Sequence, residues 1–280
     1  MSEIAPPYAE NFKTKQGKVR IDHLQKMKED GKKWAMLTSY DMYTAKLFEK
    51  AGIPVLLVGD SAANNVFGYE TSLPVTVDEL LPLVRAVSRA TERALIIADL
   101  PFGSYQASPE QCFHTSVRFM KEGLAHAVKL EGGLEMLPQV RKLTSSGIPV
   151  MAHIGFTPQS EHQLSGYKVQ GKSDKGASLI ELAKAHEEAV AFALLVEMVP
   201  AHVGASITNA VNIPVVGIGA GSQCDAQVLV WQDMAGLRTG KLPRFVKQFA
   251  DLNTVLTNAV NNYIDDVENG TFPSAEHDFD

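Results

Sequence analysis

Short apolar runs along this chain repeatedly end in one or two polar residues. Val55 to Ser61 (VLLVGDS) closes on an aspartate and a serine, ALIIAD on Asp99 and AVKLEGG on Glu131 with its glycines. PVMAHIG has His153 before its glycine, ALLVEMVP carries Glu197 near its end, and upstream WAMLTSYD stops at Asp41. A brief continuous apolar run reads as a strand buried on both faces, and its polar tip marks where the chain leaves the sheet. From Asp60 to Glu197 the tips follow one another at intervals of 22 to 44 residues, room each time for a crossover helix. The repeat predicts a parallel α/β protein whose polar tips collect at one end of the sheet.

The segments between the runs carry helix punctuation. Ser108 as N-cap, Pro109 in the first helical position, Gln111 completing a capping box and Gly123 past the end predict one helix after Asp99. Further helices are expected over 21–30, 41–50, 77–93, 134–146, 178–190 and 201–211. The strands are expected at 34–39, 55–61, 94–99, 126–132, from 148 through PVMAHIG, up to Glu197, in PVVGIGAG, and as an eighth in QVLVWQD. Eight strands with helices between them predict a closed (β/α)8 barrel. Residues 62–74 and 157–173 read as polar, glycine-containing loops behind strand tips, the first a binding loop and the second a mobile lid. Residues 1–19 suit a flexible tail, leaving 20–280 as one domain. Apolar residues three or four apart from Phe245 to Ile264 predict an amphipathic helix or helix pair within 243–268, packed outside the barrel.

Composition narrows the functional classes. At 280 residues, 45% hydrophobic and 21% charged, the chain can bury a large core, and its net charge of -6 lacks the basic excess that a nucleic-acid partner requires. Cys112 and Cys224 form no CxxC pair, which fits a reducing compartment and buried thiols. No N-terminal signal pattern is present and no apolar run reaches the roughly 18 residues of a membrane span, so a soluble, cytoplasmic protein is expected.

Barrel closure would bring Asp60, Asp99 and Glu131 to one rim. Three converging carboxylates repel one another, so the set implies a hard divalent ion, most simply Mg²⁺; singly, each could instead cap the next helix or turn. Lys129, two residues before Glu131 and on the same strand face, needs an anionic partner, either one of these acids or a substrate carboxylate. Glu197, set in a greasy run, would be desolvated, which raises a carboxyl pKa and suits a general base. His153, at a strand tip, reads either as a substrate contact or, narrowly ahead of it, as a hydrogen-bonded core residue. The GIGAG run has Ser222 where the dinucleotide fingerprint needs its last glycine, so it predicts tight backbone passage or weak anion binding. No GxSxG, HExxH or Walker pattern occurs.

Eight segments in order, among them VGDSAANNVFGYETSLPVTVDE, ADLPFGSY, AVKLEGG, MAHIGFTPQS, GYKVQGK, VEMVP, IPVVGIGAG and FPSAEHDF, resemble the ketopantoate hydroxymethyltransferase family over about residues 23–279. The resemblance implies a (β/α)8 TIM barrel of the phosphoenolpyruvate/pyruvate type, Mg²⁺ as metal and a homodecamer of two pentameric rings. It implies hydroxymethyl transfer from 5,10-methylenetetrahydrofolate to 3-methyl-2-oxobutanoate through a Mg²⁺-stabilised enolate, giving ketopantoate for pantothenate synthesis. Asp60, Asp99 and Glu131 are then the metal residues, Asp60, Ser61, Asp99 and Lys129 line the keto acid, and Glu197 is the proton acceptor. The chain departs from the family pattern at Lys172, where arginine is usual, and at Asp278, where serine is common. Two rival readings are a Mg²⁺-dependent α-keto acid lyase or mutase on the same barrel, which would want a reactive cysteine on a mobile loop, and a non-catalytic scaffold.

Overall fold

A computed structural model describes residues 17–173 and 175–279. The flexible tail expected at 1–19 lies outside the described residues up to position 16; at its end Val19 is buried and its N–H donates to the Arg93 carbonyl at 2.6 Å. The chain up to Val230 forms one compact unit and Trp231–Asp280 a second.

The first unit is a closed barrel of eight parallel strands in sequence order. These are β1 (Trp34–Thr38), β2 (Val55–Val58), β3 (Leu95–Asp99), β4 (Ala127–Glu131), β5 (Val150–Gly155), β6 (Ala193–Glu197), β7 (Val215–Ile218) and β8 (Ala226–Leu229). Its helices begin with α1 (Ile21–Glu29), α2 (Met42–Lys50), the single turn α3 (Ala62–Asn65) and α4 (Val77–Ala90). They continue with α5 (Pro109–Lys121), α6 (Leu137–Ser145), α7 (Lys175–Glu188) and α8 (Ala201–Ala210). Local chemistry explains several boundaries. Asp41 caps α2 by accepting from the Tyr43 and Thr44 N–H groups, and Thr76 with Glu79 forms a reciprocal capping box on α4. At α5, Ser108 accepts from the Gln111 N–H as expected, but Gln111 does not close the box: its side chain accepts from the Ala107 N–H and donates to the Gly103 carbonyl.

Alternation along the strands fills the barrel. Leu57, Ile97, Ala127, Met151, Ala193, Leu195 and Val216 belong to one buried apolar cluster inside it. Two residues on from Ile97, Ala127, Met151 and Leu195, toward the C-terminal rim, stand Asp99, Lys129, His153 and Glu197. Because strand side chains alternate with period two, those polar residues continue the same inward rows. The apolar layer ends where the polar layer begins, at the rim where such barrels carry their sites.

Two sequence expectations shift. The eighth strand, expected over 227–233, starts at Ala226 and stops at Leu229, and Trp231–Met234 is a helical turn, α9. The apolar run through Trp231 gives no stop signal, whereas the pairing with β1 ends at Leu37↔Leu229. Of the stripe expected over 243–268, helix α10 takes only Leu252–Glu268, with Asp251 as its N-cap accepting from the Thr254 N–H, and none of its residues is buried. No described helix is long and apolar enough to cross a membrane.

Candidate active site

Strand register assembles the site. Asp99 pairs with Lys129 across β3 and β4, Glu131 with His153 across β4 and β5, and Gly155 with Glu197 across β5 and β6. The Lys129 ammonium donates to Asp99 Oδ1 at 2.7 Å, Asp99 Oδ2 at 2.8 Å and Glu131 Oε1 at 3.2 Å. Asp60, just past the end of β2, joins through its own N–H, which donates to Asp99 Oδ2 at 3.1 Å. His153 bridges the cluster to the next acid, with Nδ1 3.1 Å from Glu131 Oε1 and Nε2 3.3 Å from Glu197 Oε2. That second contact is within ion-pair reach but is not aligned as a hydrogen bond. Asp60, Asp99, Lys129, Glu131 and His153 are all at most 5% exposed, while the Glu197 side chain keeps 13%. Ser61 sits beside them at the start of α3, its hydroxyl 2.8 Å from the Tyr40 hydroxyl.

Burial and charge divide the acids into two kinds. Burial pushes the Asp60 and Asp99 carboxyls up, their negative neighbours add to the rise, and Lys129 only partly opposes it. Glu131 is held at about 2: burial would raise it, but Lys129, His153 and the Gln159 N–H stabilise the carboxylate. For Lys129, burial disfavours the charge, yet Asp99, Glu131 and Asp60 outweigh it and keep the ammonium protonated. His153 rises to about 9 because the carboxylates of Glu131 and Glu197 overcome burial and the repulsion of Lys129. Glu197 is raised, with burial the largest cause and His153 opposing it.

Four buried carboxyls thus share two groups able to carry positive charge, and the donor set is hard oxygen. Among the described residues no three His, Cys, Asp or Glu side chains form a ready-made cage. Lys129 stands between Asp99 and Glu131 instead. This fits a small divalent ion that takes one or two carboxylates and completes its shell with water and substrate oxygens, as Mg²⁺ does. Asp60, Asp99 and Glu131 are the residues available to hold it.

Sequence reasoning missed two residues. Tyr105, in the loop after β3, and Gln159, in the 3₁₀ turn Pro158–Ser160 after β5, are buried against the acids. Their signal was positional only: each follows a strand tip within a few residues. Gln159 also changes the picture of the lid, because the start of 157–173 is tied into the site. Its later part lines a cavity of about 660 Å³ with Lys168, Lys172 and Lys175. The Gln170 N–H donates to the carbonyl of Met198, the residue after Glu197, at 2.8 Å, so that part borders the end of β6.

Other candidates fall outside. Asp41 is engaged in capping α2. The GIGAG turn is a tight backbone passage, since a Cβ on Gly204 of α8 would collide with the Ala220 carbonyl and one on Gly221 with Ala201. Both cysteines are buried, and burial pushes the Cys112 thiol up to about 12 and raises Cys224 too, so neither is the exposed reactive thiol a lyase would need.

The family model of ketopantoate hydroxymethyltransferase matches residues 18–275. The chain belongs to the ketopantoate hydroxymethyltransferase family. It is 65% identical over 262 residues to a protein of Nocardioides sp. strain JS614 named 3-methyl-2-oxobutanoate hydroxymethyltransferase, covering 94% of this chain and 89% of that protein. An Arthrobacter sp. strain FB24 protein of the same name is 62% identical, with 94% and 87% covered. Among solved structures, phosphonopyruvate hydrolase in complex with oxalate and Mg²⁺ superposes with a TM-score of 0.60 at 14% identity, covering 91% of this chain and 92% of that one. A 2,3-dimethylmalate lyase of the PEP mutase/isocitrate lyase superfamily gives 0.55 at 14% identity, with 93% and 91% covered. These distant structures share the barrel of this ketopantoate hydroxymethyltransferase family member, a likeness of fold alone.

Proposed function

We propose that the protein transfers a hydroxymethyl group from 5,10-methylenetetrahydrofolate to 3-methyl-2-oxobutanoate, giving 2-dehydropantoate, the first step of pantothenate synthesis. Its curated relatives carry the name of this reaction. The observation that supports the reading is the partition of the rim: Asp99 and Glu131 paired with Lys129 and joined by Asp60, and beside them one acid, Glu197, whose ion pair among the described residues is with His153.

In this reading Asp60 and Asp99, with Glu131, would hold Mg²⁺, which when bound would supply Lewis acidity beside the keto group. Lys129 and Ser61, with Asp60 and Asp99, orient the keto acid, the lysine supplying positive charge for its carboxylate. Glu197, raised by burial and partly open to the rim, takes the proton from the carbon beside the carbonyl. His153 keeps its carboxylate turned toward the cluster. The carbanion so formed makes the new carbon–carbon bond to the one-carbon unit of the folate, one water is consumed and tetrahydrofolate leaves. The lysines lining the 660 Å³ cavity beside β6 would meet the carboxylates of the folate's glutamate tail. A cytoplasmic homodecamer completes the proposal, and the exposed apolar residues Val255, Leu256, Val260 and Ile264 of α10 offer one surface for a contact between copies.

The test separates the half-reaction from the whole. Protein, 3-methyl-2-oxobutanoate and Mg²⁺ in deuterated water, without folate, should exchange the C3 proton, followed by NMR. Adding 5,10-methylenetetrahydrofolate should then give 2-dehydropantoate. No exchange in the presence of Mg²⁺ would refute the reading, and exchange without folate-dependent product would favour a lyase or mutase.

A further inference from the structure

Gln159 touches the surroundings of all three acids that the proposed function assigns to the metal. Its side-chain Nε2 donates to Asp60 Oδ2 at 3.0 Å and to the carbonyl of Leu100, the residue after Asp99, at 2.9 Å. Its backbone N–H donates to Glu131 Oε2 at 3.0 Å. The side-chain Oε1 accepts from the Tyr105 hydroxyl at 2.7 Å and from Gln106 Nε2 at 3.3 Å. Tyr105 is fully buried, and its hydroxyl also accepts from the Glu131 N–H at 3.1 Å.

The orientation of the amide is therefore dictated. A carbonyl and a carboxylate oxygen can only accept, so Nε2 must face Leu100 and Asp60, which leaves Oε1 toward the Tyr105 hydroxyl; that hydroxyl's one proton has Oε1 at 2.7 Å and the Glu131 carbonyl at 3.0 Å as acceptors. Each hydrogen-bonding position of this 5%-exposed amide has a partner within reach, and those partners come from the loops behind β2 and β3. Asp60, with Oδ2 held by this fixed donor, presents its other oxygen in a fixed direction, while Glu131, with Oε2 held by the Gln159 N–H, has Oε1 set on Lys129 and His153. This is how groups beyond the ligands of a metal site set the geometry of the ligands themselves.

We propose that Gln159, locked by Tyr105, is the positioning residue of the divalent-cation site, holding Asp60 and Glu131 in the spacing that the ion requires. The inference rests on the metal reading above and adds residues to it. Because the same residue opens the 157–173 segment, it also couples the ordering of that segment to the occupancy of the ion site. When Asp60 and Glu131 are fixed by an ion, Gln159 and the turn around it are fixed with them.

The experiment measures Mn²⁺ binding to the full chain by electron paramagnetic resonance, with thermal unfolding in EDTA recorded alongside. Tyr105→Phe keeps the ring and removes only the hydroxyl, while Gln159→Leu removes the donors to Asp60 and Leu100. Each is expected to weaken Mn²⁺ binding 10- to 100-fold, an order of magnitude typical of such partners. The kcat of Tyr105→Phe should recover at saturating metal and the KM for keto acid measured there should match the wild type. Unchanged Mn²⁺ affinity in Tyr105→Phe, with or without a lowered melting temperature, would overturn the positioning role while leaving the metal site in place. Absence of Mn²⁺ binding by the wild type would remove the metal reading itself, and this proposal with it.

Discussion

Lys129 and Asp99 are partners in strand register and in charge: their Cα atoms pair across β3 and β4, and the ammonium donates to both carboxylate oxygens, at 2.7 and 2.8 Å. Both side chains are at most 3% exposed. Removing one member of a buried ion pair strands the other, which typically costs about 3–5 kcal/mol. Lys129→Met should therefore lower the melting temperature in EDTA by on the order of 10 °C, given the shift per kcal/mol usual for chains near this size. Proton exchange on the keto acid should fall about 10²- to 10³-fold. Mg²⁺ should stabilise this variant more than the wild type, because the variant lacks the positive charge that opposes three acids. Calorimetry with and without Mg²⁺ checks this; an unchanged melting temperature in EDTA would show that Asp99 does not depend on the lysine.

The pH dependence of exchange reports on Glu197. A base works only when ionised, and burial raises this carboxyl above the ordinary glutamate range. The rate should therefore climb with pH through an apparent pKa higher than that of a free glutamate and level off above it. Since His153 lowers the Glu197 pKa, His153→Asn should move the limb to still higher pH. Glu197→Gln should lose the limb and on the order of 10²- to 10⁴-fold of rate. A pH profile of deuterium exchange in the three proteins checks this, and exchange surviving intact in Glu197→Gln would move the role of base to another residue.

The barrel and its ring of charged tips were legible because they depend on short-range pattern. A buried parallel strand must be apolar throughout, so the run itself announces it, and the period of two then fixes which residues share the interior with Ile97 and Leu195. Asp99, Lys129, Glu131 and Glu197 can be picked in this way, and Asp60 by its place at the polar tip of VLLVGDS. His153 was read as a core residue; it is buried, and the register adds that it stands opposite Glu131. Gln159 and Tyr105 escaped because neither type announces chemistry: they lie 99 residues from Asp60 and 26 from Glu131. Only the folded loops bring them to the acids. The end of β8 escaped for the opposite reason, since hydropathy continues through Trp231 while the pairing partner on β1 does not.

Gly204 offers a test of packing apart from the chemistry. A Cβ there would meet the Ala220 carbonyl oxygen and carbon, backbone atoms that cannot rotate away. Gly204→Ala should cost about 1–3 kcal/mol, as overpacking does, and show as a lower melting temperature with Mn²⁺ affinity unchanged at low temperature. An unaltered melting temperature would show that the GIGAG turn yields to α8.

The lysines around the 660 Å³ cavity separate folate binding from enolisation. Among the described residues, Lys168, Lys172 and Lys175 make no ion pair, and they line one cavity beside the end of β6. Unpaired cations around a cavity favour an anionic ligand, and of the two proposed substrates only the folate has carboxylates remote from its reacting carbon. In Lys168→Glu with Lys172→Glu, like charges then meet the glutamate tail. The KM for 5,10-methylenetetrahydrofolate should rise on the order of ten-fold, the effect of about 1.4 kcal/mol. Exchange of the keto acid proton without folate should stay at the wild-type rate, since it needs no tail. A tetrahydropteroate analogue that lacks the glutamate should bind wild type and variant alike. Equal KM values for the full folate in both proteins would place its tail elsewhere, with the exchange assay still reporting independently on Glu197.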